Sequence, residues 1–143
     1  MASITSANSI YHLSIKNLYA VPQQLQGFAA DDIFDTEGIE AAEMMMGVDG
    51  RLSAGFVYVP IKQSISLQAD SPSATLFEVW YAKQQAIREL YRASATIILP
   101  AVGMVYVCSN GVLTHYSPIP DAKKVLQPRK FGIAWESVVG APV

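Results

Sequence analysis

The chain has 143 residues, of which 51% are hydrophobic and only 15% charged, with a net charge of −2 and a mean hydropathy of +0.25. That length suits one domain burying about 68–70% of its unfolded surface, whereas soluble domains ordinarily carry about 25% charged residues. The balance argues against broad nucleic-acid binding, which calls for a clustered basic excess, and leaves a small chain too poor in polar side chains to cover itself.

Such a chain either enters a membrane or hides surface against other copies or partners. Met1-Ala2-Ser3-Ile4-Thr5-Ser6 has neither a basic region nor an apolar core, so no secretion signal is expected and synthesis belongs in a cytoplasm. The longest mostly apolar stretch, Ala93 to Cys108, is interrupted by Pro100 and Gly103. It falls short of the roughly 20 residues a spanning helix needs. No membrane-spanning segment is expected, and self-association is the better reading.

In chain order, Tyr11, Leu13 and Ile15 alternate with His12, Ser14 and Lys16, the period of a strand with one wet face. The least regular stretch follows, Ala29 to Glu43, which reads as a long acidic loop (31–43) with a short helical turn. Compact domains rarely keep such loops without a use. From Asp31 to Asp49 seven acids (Asp31, Asp32, Asp35, Glu37, Glu40, Glu43 and Asp49) occur with no base.

A hairpin arm is expected over 44–59, where Asp49-Gly50 joins Met44–Val48 to Leu52–Val59 through a type I′ turn. Leu52, Ala54, Phe56 and Tyr58 line one side of its second strand, with Ser53, Gly55, Val57 and Val59 on the other. That composition predicts cover on both faces. Three adjacent methionines, Met44, Met45 and Met46, must point to both faces of a strand. Flexible thioethers suit adaptable contacts, which makes the arm, with Asp49, Gly50 and Arg51 at its tip, a candidate subunit interface.

Ile61, Ile65, Leu67 and Ala69 then alternate with Lys62, Ser64, Ser66 and Gln68 as another half-buried strand. Ser71 as N-cap and Pro72 at the first helical position open a helix over 72–92. Leu76, Phe77, Trp80, Ile87, Leu90 and Tyr91 form its apolar stripe. Thr96–Leu99 turns at Pro100–Gly103 onto Met104–Cys108, and Asn110-Gly111 reads as a second type I′ hairpin, from Met104–Ser109 to Val112–Tyr116. Between Lys123 and Lys130 four bases (Lys123, Lys124, Arg129, Lys130) occur with no acid. Phe131, Ile133 and Trp135 form the inner face of a closing strand. Many strands and one helix predict a single mainly β domain over 1–143, a β-barrel or sandwich flanked by the helix.

The residues supply little chemistry. His12 and His115 occupy polar strand positions without a second ligand at metal spacing. Ser53, in Gly50-Arg51-Leu52-Ser53-Ala54-Gly55, lies one residue outside the Gly-x-Ser-x-Gly elbow and follows a hairpin rather than a strand-to-helix turn. No dinucleotide or phosphate loop occurs. Asp31, Asp32 and Asp35 lack the twelve-residue calcium-loop pattern. A dispersed carboxylate dyad has no sequence signature, and nothing in the composition suggests a sugar cleft. Trp80 and Trp135 fall on core faces. Cys108, the sole cysteine, rules out an intramolecular disulfide and a multi-cysteine metal site and reads as a buried hydrophobe. No catalytic, cofactor or metal residue is therefore expected. Besides solvated surface, the charge runs suggest that the acidic segment of one copy meets the basic segment of the next, which sets register more than affinity.

Met46-Gly47-Val48-Asp49-Gly50-Arg51-Leu52-Ser53-Ala54-Gly55-Phe56 resembles the hairpin of the tail tube proteins of contractile-tailed bacteriophages. So do Ile65-Ser66-Leu67-Gln68-Ala69-Asp70-Ser71-Pro72-Ser73, leading into a helix with Phe77 and Trp80, and the closing Lys124–Pro128 and Phe131–Glu136. The likeness spans roughly Val21 to Val138. It implies a β-barrel or sandwich with a flanking helix, shared with type VI secretion tubes, that closes into hexameric rings stacked as a tube. The implied partners are other copies of the chain, the tail sheath protein, baseplate and tail terminator proteins, the tape measure protein, and transiently DNA in the lumen. The implied location is the virion, after assembly in the host cytoplasm. Some relatives are labelled tail fibre proteins; the tube is the reading taken. The alternatives are a tube subunit of a type VI or other contractile injection system, a small-ligand-binding β-barrel, and an enzyme with a dispersed site.

Overall fold

The structure, a computed structural model, describes residues 9–28 and 33–142. Ten strands and one helix follow in chain order: β1 (Ile10–Ile15), β2 (Tyr19–Gln24), β3 (Phe34–Thr36), β4 (Ala42–Met46), β5 (Leu52–Phe56), β6 (Ile61–Leu67), α1 (Ala74–Ile87), β7 (Ala93–Leu99), β8 (Met104–His115), β9 (Arg129–Trp135) and β10 (Ser137–Pro142). Except for β4 and β5, which pair only with each other, they form one antiparallel array in the order β2-β1-β7-β8-β9-β6-β3, with β10 added to β8. The fold is mainly β with a single flanking helix, as the alternation and the one amphipathic stripe predict.

The expected hairpin at Asn110-Gly111 is not formed. β8 runs unbroken from Met104 to His115, pairing first with β7 and β10 and then with β9. Ala95 faces Cys108 but Ala93 faces Gly111, so β8 advances three residues while β7 advances two. Such an extra residue bends and twists a strand without ending it. Asn110 takes the positive φ of 52° that the bulge requires, and its side chain donates to Glu136 Oε2 at 2.8 Å. Gly111 is needed for closeness of approach: a Cβ there would sit 2.5 Å from Cζ3 of the buried Trp135 ring. Only Asn110 has the positive φ that a type I′ turn needs at both central residues, and pairing with distant strands makes the dipeptide a corner instead of a turn.

The predicted core faces are buried as expected: Tyr11, Leu13 and Ile15 on β1, Ile65 and Leu67 on β6, and Phe131, Ile133 and Trp135 on β9. Gln63 shares the inner face of β6 and is only 4% exposed. Its Oε1 accepts from the Tyr11 hydroxyl (2.6 Å) and from Trp135 Nε1 (3.1 Å), while its Nε2 donates to Thr36 Oγ1 (3.1 Å). Burial, with a lesser contribution from Cys108, holds the Tyr11 phenol well above its ordinary pKa, so it remains a donor. Replacing Gln63 by Leu strands two buried donors, at about 1–3 kcal/mol each. Urea unfolding is therefore expected to lose about 2–6 kcal/mol at unchanged m-value. Cys108 is buried, and burial pushes its thiol up to about 11, consistent with its reading as a small hydrophobe.

Helix α1 is shorter than the 72–92 expected. Ser73 occupies the N-cap without a side-chain capping bond, and Arg88 ends the helix with a φ of 57°. The serines have another use: the Ser71 hydroxyl donates to the Gln26 carbonyl, and Ser73 Oγ accepts from the Gln26 amide at 2.7 Å. At the far end Trp80 Nε1 donates to the Tyr91 carbonyl (3.3 Å) and the Tyr91 amide donates to Gln84 Oε1 (3.3 Å). Tyr91 thus folds back on the helix rather than extending it, and Ile87 and Leu90 of the expected stripe are exposed. The helix is held by aromatic stacking, Phe77 on Phe131 and Tyr81 on Tyr116, both with centroids 4.4 Å apart. No helix among the described residues is long and apolar enough to cross a membrane.

Candidate assembly interface

The stretch expected as a loop with a helical turn contains instead the short strand β3, paired through Phe34–Thr36 to Ile65–Gln63. Phe34 packs edge-on against Tyr11 at 5.7 Å, and the Glu37 amide on the Lys62 carbonyl (2.8 Å) and the Ser66 amide on the Ile33 carbonyl (3.1 Å) hold the segment to the sheet. Among the described residues no helical turn forms there, and Asp31 and Asp32 lie outside them.

Beyond β3 the chain leaves the body and returns as the β4–β5 ribbon. Its pairs are Ala42 with Phe56, Glu43 with Gly55, Met44 with Ala54, Met45 with Ser53 and Met46 with Leu52. Directly opposed residues of an antiparallel pair share a face, so the ribbon is two-sided. Ala42, Met44, Met46, Leu52, Ala54 and Phe56 make one wholly apolar face; Glu43, Met45, Ser53 and Gly55 make the other. The expectation that β5 is covered on both sides is overturned: all its residues are exposed. Met44, Met46, Leu52 and Phe56 are 65%, 64%, 55% and 72% exposed, because among the described residues the ribbon has no further partner strand and no layer over it. The tip also departs from the type I′ turn. Positive φ occurs only at Gly50 (83°), and the loop spans Gly47–Arg51, closed by Gly47 N–H to the Arg51 carbonyl and Gly50 N–H to the Gly47 carbonyl. Asp49 Oδ1 accepts the Arg51 amide at 3.1 Å.

Asp35, Glu37, Glu40, Glu43 and Asp49 are all exposed. Glu37 and Glu40 line, with Ile39, Val59, Pro60 and Lys62, a hollow of about 350 Å³ at the foot of the ribbon. Lys123 and Lys124 are exposed on a loop braced by the Gln127 amide on the Asp121 carbonyl (2.9 Å) and a bridge between Ala122 and Leu126. Lys130 is exposed on β9. Within one molecule these acids and bases are not brought together: among the described residues the ion pair is Arg129 with Glu78, at 2.8 Å. Arg129 therefore leaves the expected exposed basic set. It is 5% exposed, its Nη2 donates to the Ser117 carbonyl at 2.7 Å, and it lies 5.2 Å over the Phe131 ring. A buried guanidinium tying helix, strand and loop looks in sequence like any other base.

The open sheet edges differ in character. β2 carries Pro22, and β3 is three residues long and includes Asp35, both devices that blunt an edge. β10, Ser137-Val138-Val139-Gly140-Ala141-Pro142, pairs on one side only and has no charge. No group of three metal-ligating side chains occurs among the described residues.

A family profile described as "Tail fiber protein gp32" matches residues 2–139. The chain belongs to this family. Among curated proteins nothing matches the sequence significantly. Among solved structures, a chain of the sheath/tube terminator of an extracellular contractile injection system (PVC), in its extended state, is 13% identical with a TM-score of 0.65. The match covers 99% of this chain and 98% of that one. A chain of the anti-feeding prophage tube-terminating cap is 10% identical with a TM-score of 0.64, covering 100% and 93%. A chain of the PVC sheath–tube complex is 13% identical with a TM-score of 0.54, covering 93% and 88%. At these identities the likeness establishes the fold. A gp32-family chain thus has the fold of chains found in contractile injection assemblies, over essentially its whole length.

Proposed function

We propose that this gp32-family protein is the structural subunit of the inner tail tube of a contractile-tailed bacteriophage, closing into hexameric rings that stack into the conduit for genome ejection. The observation that carries this reading is the β4–β5 ribbon, a two-stranded arm with one wholly apolar face that the described residues leave bare. Apolar surface of this kind on a charge-poor domain marks a protein interface. A patch on one copy that fits a different patch on the next makes a heterologous contact, which closes as a ring or continues as a filament. The uncharged β10 edge, free of proline up to Pro142, serves the same end, since pairing with a neighbour satisfies its free backbone groups.

The tube's partners on this reading are the sheath, baseplate, terminator and tape measure proteins, with DNA passing through transiently, and the site of action is the virion. Chemistry plays no part: the assembly works by holding shape. The terminator and cap likenesses favour a second reading of the same class, a ring that ends the tube. Negative-stain electron microscopy of the purified protein separates them, because a tube subunit forms hollow tubes and a terminator only single rings. A tail fibre would show as slender rods, and particles of monomer size at high concentration would overturn both ring readings. For the charge runs, reversing Lys123 and Lys124 together to Glu is expected to shorten or abolish the tubes while the circular dichroism spectrum stays unchanged. Normal tubes from that variant would show that the acidic and basic segments do not meet.

A further inference from the structure

One large surface has no role so far: the outward face of β1, β7, β8 and β10. Tyr11, Leu13, Ile15, Ala95, Ile97 and Cys108 point into the core from these strands, so the alternate positions point away. The pairing aligns them in rows, Ile10 beside Ile98, Val105 and Ala141, then His12 beside Thr96, Val107 and Val139. Serines follow, Ser14 beside Ser94 and Ser109 beside Ser137. No outward position here is Asp, Glu, Lys or Arg, although about 25% of the residues of a soluble domain are ordinarily charged. Val107 and Val139, directly paired, are 47% and 62% exposed.

The other outward sheet face, that of β9, β6 and β3, differs: it presents Lys130, Lys62 and Asp35, all exposed. An apolar ribbon laid over those charges would strip their water without returning a partner, which costs several kcal/mol per ion. A ribbon laid over the neutral rows strips only apolar side chains, hydroxyls and one imidazole. The chain therefore carries one apolar face that the described residues leave uncovered and one uncharged face that could receive it. They lie on different parts of the molecule, and the ribbon is not folded onto its own sheet.

We propose that the apolar face of the β4–β5 ribbon of one copy docks on the uncharged outward face of β1-β7-β8-β10 of the next copy, a contact that rests on the self-assembly reading above and names the two surfaces it uses. Met44, Met46, Leu52 and Phe56 meet the rows around Val107 and Val139, while Glu43 and Ser53 on the ribbon's other side stay toward solvent. Because donor and acceptor patches differ, the contact repeats from copy to copy.

Disulfide trapping tests it, with the native buried Cys108 left in place. Met44→Cys and Val139→Cys are made as separate variants, mixed under assembly conditions and oxidised. The mixture is expected to give a cross-linked dimer on a non-reducing gel, and neither variant alone to give one. Met45→Cys, from the opposite ribbon face, mixed with Val139→Cys is expected to give none. Rings or tubes in the microscope with no Met44–Val139 cross-link would overturn the docking while leaving self-assembly standing. A cross-link between two Met44→Cys chains would overturn it too, because the ribbons would then pair with each other. A wild type that stays monomeric, with no cross-link in the mixture, would remove the self-assembly reading and this contact with it.

Discussion

Phe56→Asp is expected to leave the protein folded and monomeric, with no rings or tubes at concentrations where the wild type assembles. Phe56 is 72% exposed, and its aromatic neighbour is Tyr58, edge-on at 4.9 Å, so its own fold gains little from it. At an interface the balance reverses. Burying a Phe side chain contributes about 1.5–3 kcal/mol, so its loss alone weakens each contact by roughly 10–100-fold, and a carboxylate in its place must also be desolvated. The four large side chains of the apolar face offer roughly 6–12 kcal/mol gross on the same scale. Association itself costs roughly 4–15 kcal/mol. A single ribbon contact is therefore marginal, and assembly depends on several being made together. Size-exclusion chromatography with light scattering reads the outcome, with Ser53→Asp on the opposite ribbon face as a control expected to assemble. An assembled Phe56→Asp protein would show that the apolar ribbon face is not an interface.

The second large effect lies inside the molecule. Gly111→Ala places a methyl against the rigid, fully buried indole of Trp135, at the corner where β8 passes from β7 and β10 to β9. Neither side can give way cheaply: Trp135 is anchored to Gln63 by its Nε1, and the backbone at Gly111 is held in the ladder opposite Ala93. Overpacking of this kind costs about 1–3 kcal/mol, occasionally more. With a rigid ring as the obstacle, a loss of about 3 kcal/mol is expected, which lowers the melting temperature by roughly 6–12 °C in a domain of this size. Calorimetry measures it directly. A melting temperature within a degree of wild type would mean that the corner is loosely packed.

Much of the body was legible in sequence because local period and burial coincide there. Tyr11, Leu13 and Ile15, or Phe131, Ile133 and Trp135, can bury three side chains only as a strand with one inner face, and they do. Gln63 broke the apolar run of β6 without any sign of its use, since its partners Tyr11 and Trp135 are remote in the chain. The misreadings occur where a local signal was captured by something distant. Asn110-Gly111 has the residues of a tight turn, yet β7, β9 and β10 pair along the same stretch and make it a bulge. Leu90 and Tyr91 continued the helical spacing, but the bonds from Trp80 and Gln84 to Tyr91 stop the helix at Ile87. Arg129 has the sequence context of a surface base, yet Glu78, Ser117 and Phe131 enclose it.

The candidate interface divides in the same way. Sequence alone determined that the protein is mainly β, too poor in charge to cover itself, and furnished with an arm whose methionines suit contact with a partner, because composition and alternation are properties of a chain before it folds. Only the tertiary structure decided that the ribbon has one apolar face and that no described residue covers it. The uncharged rows of the β1-β7-β8-β10 sheet likewise exist only once four separate segments are set in register. The physical reason is the same for both: a face is a relation between strands, and hydrogen-bonded register between residues far apart in the chain is not written in any one of them.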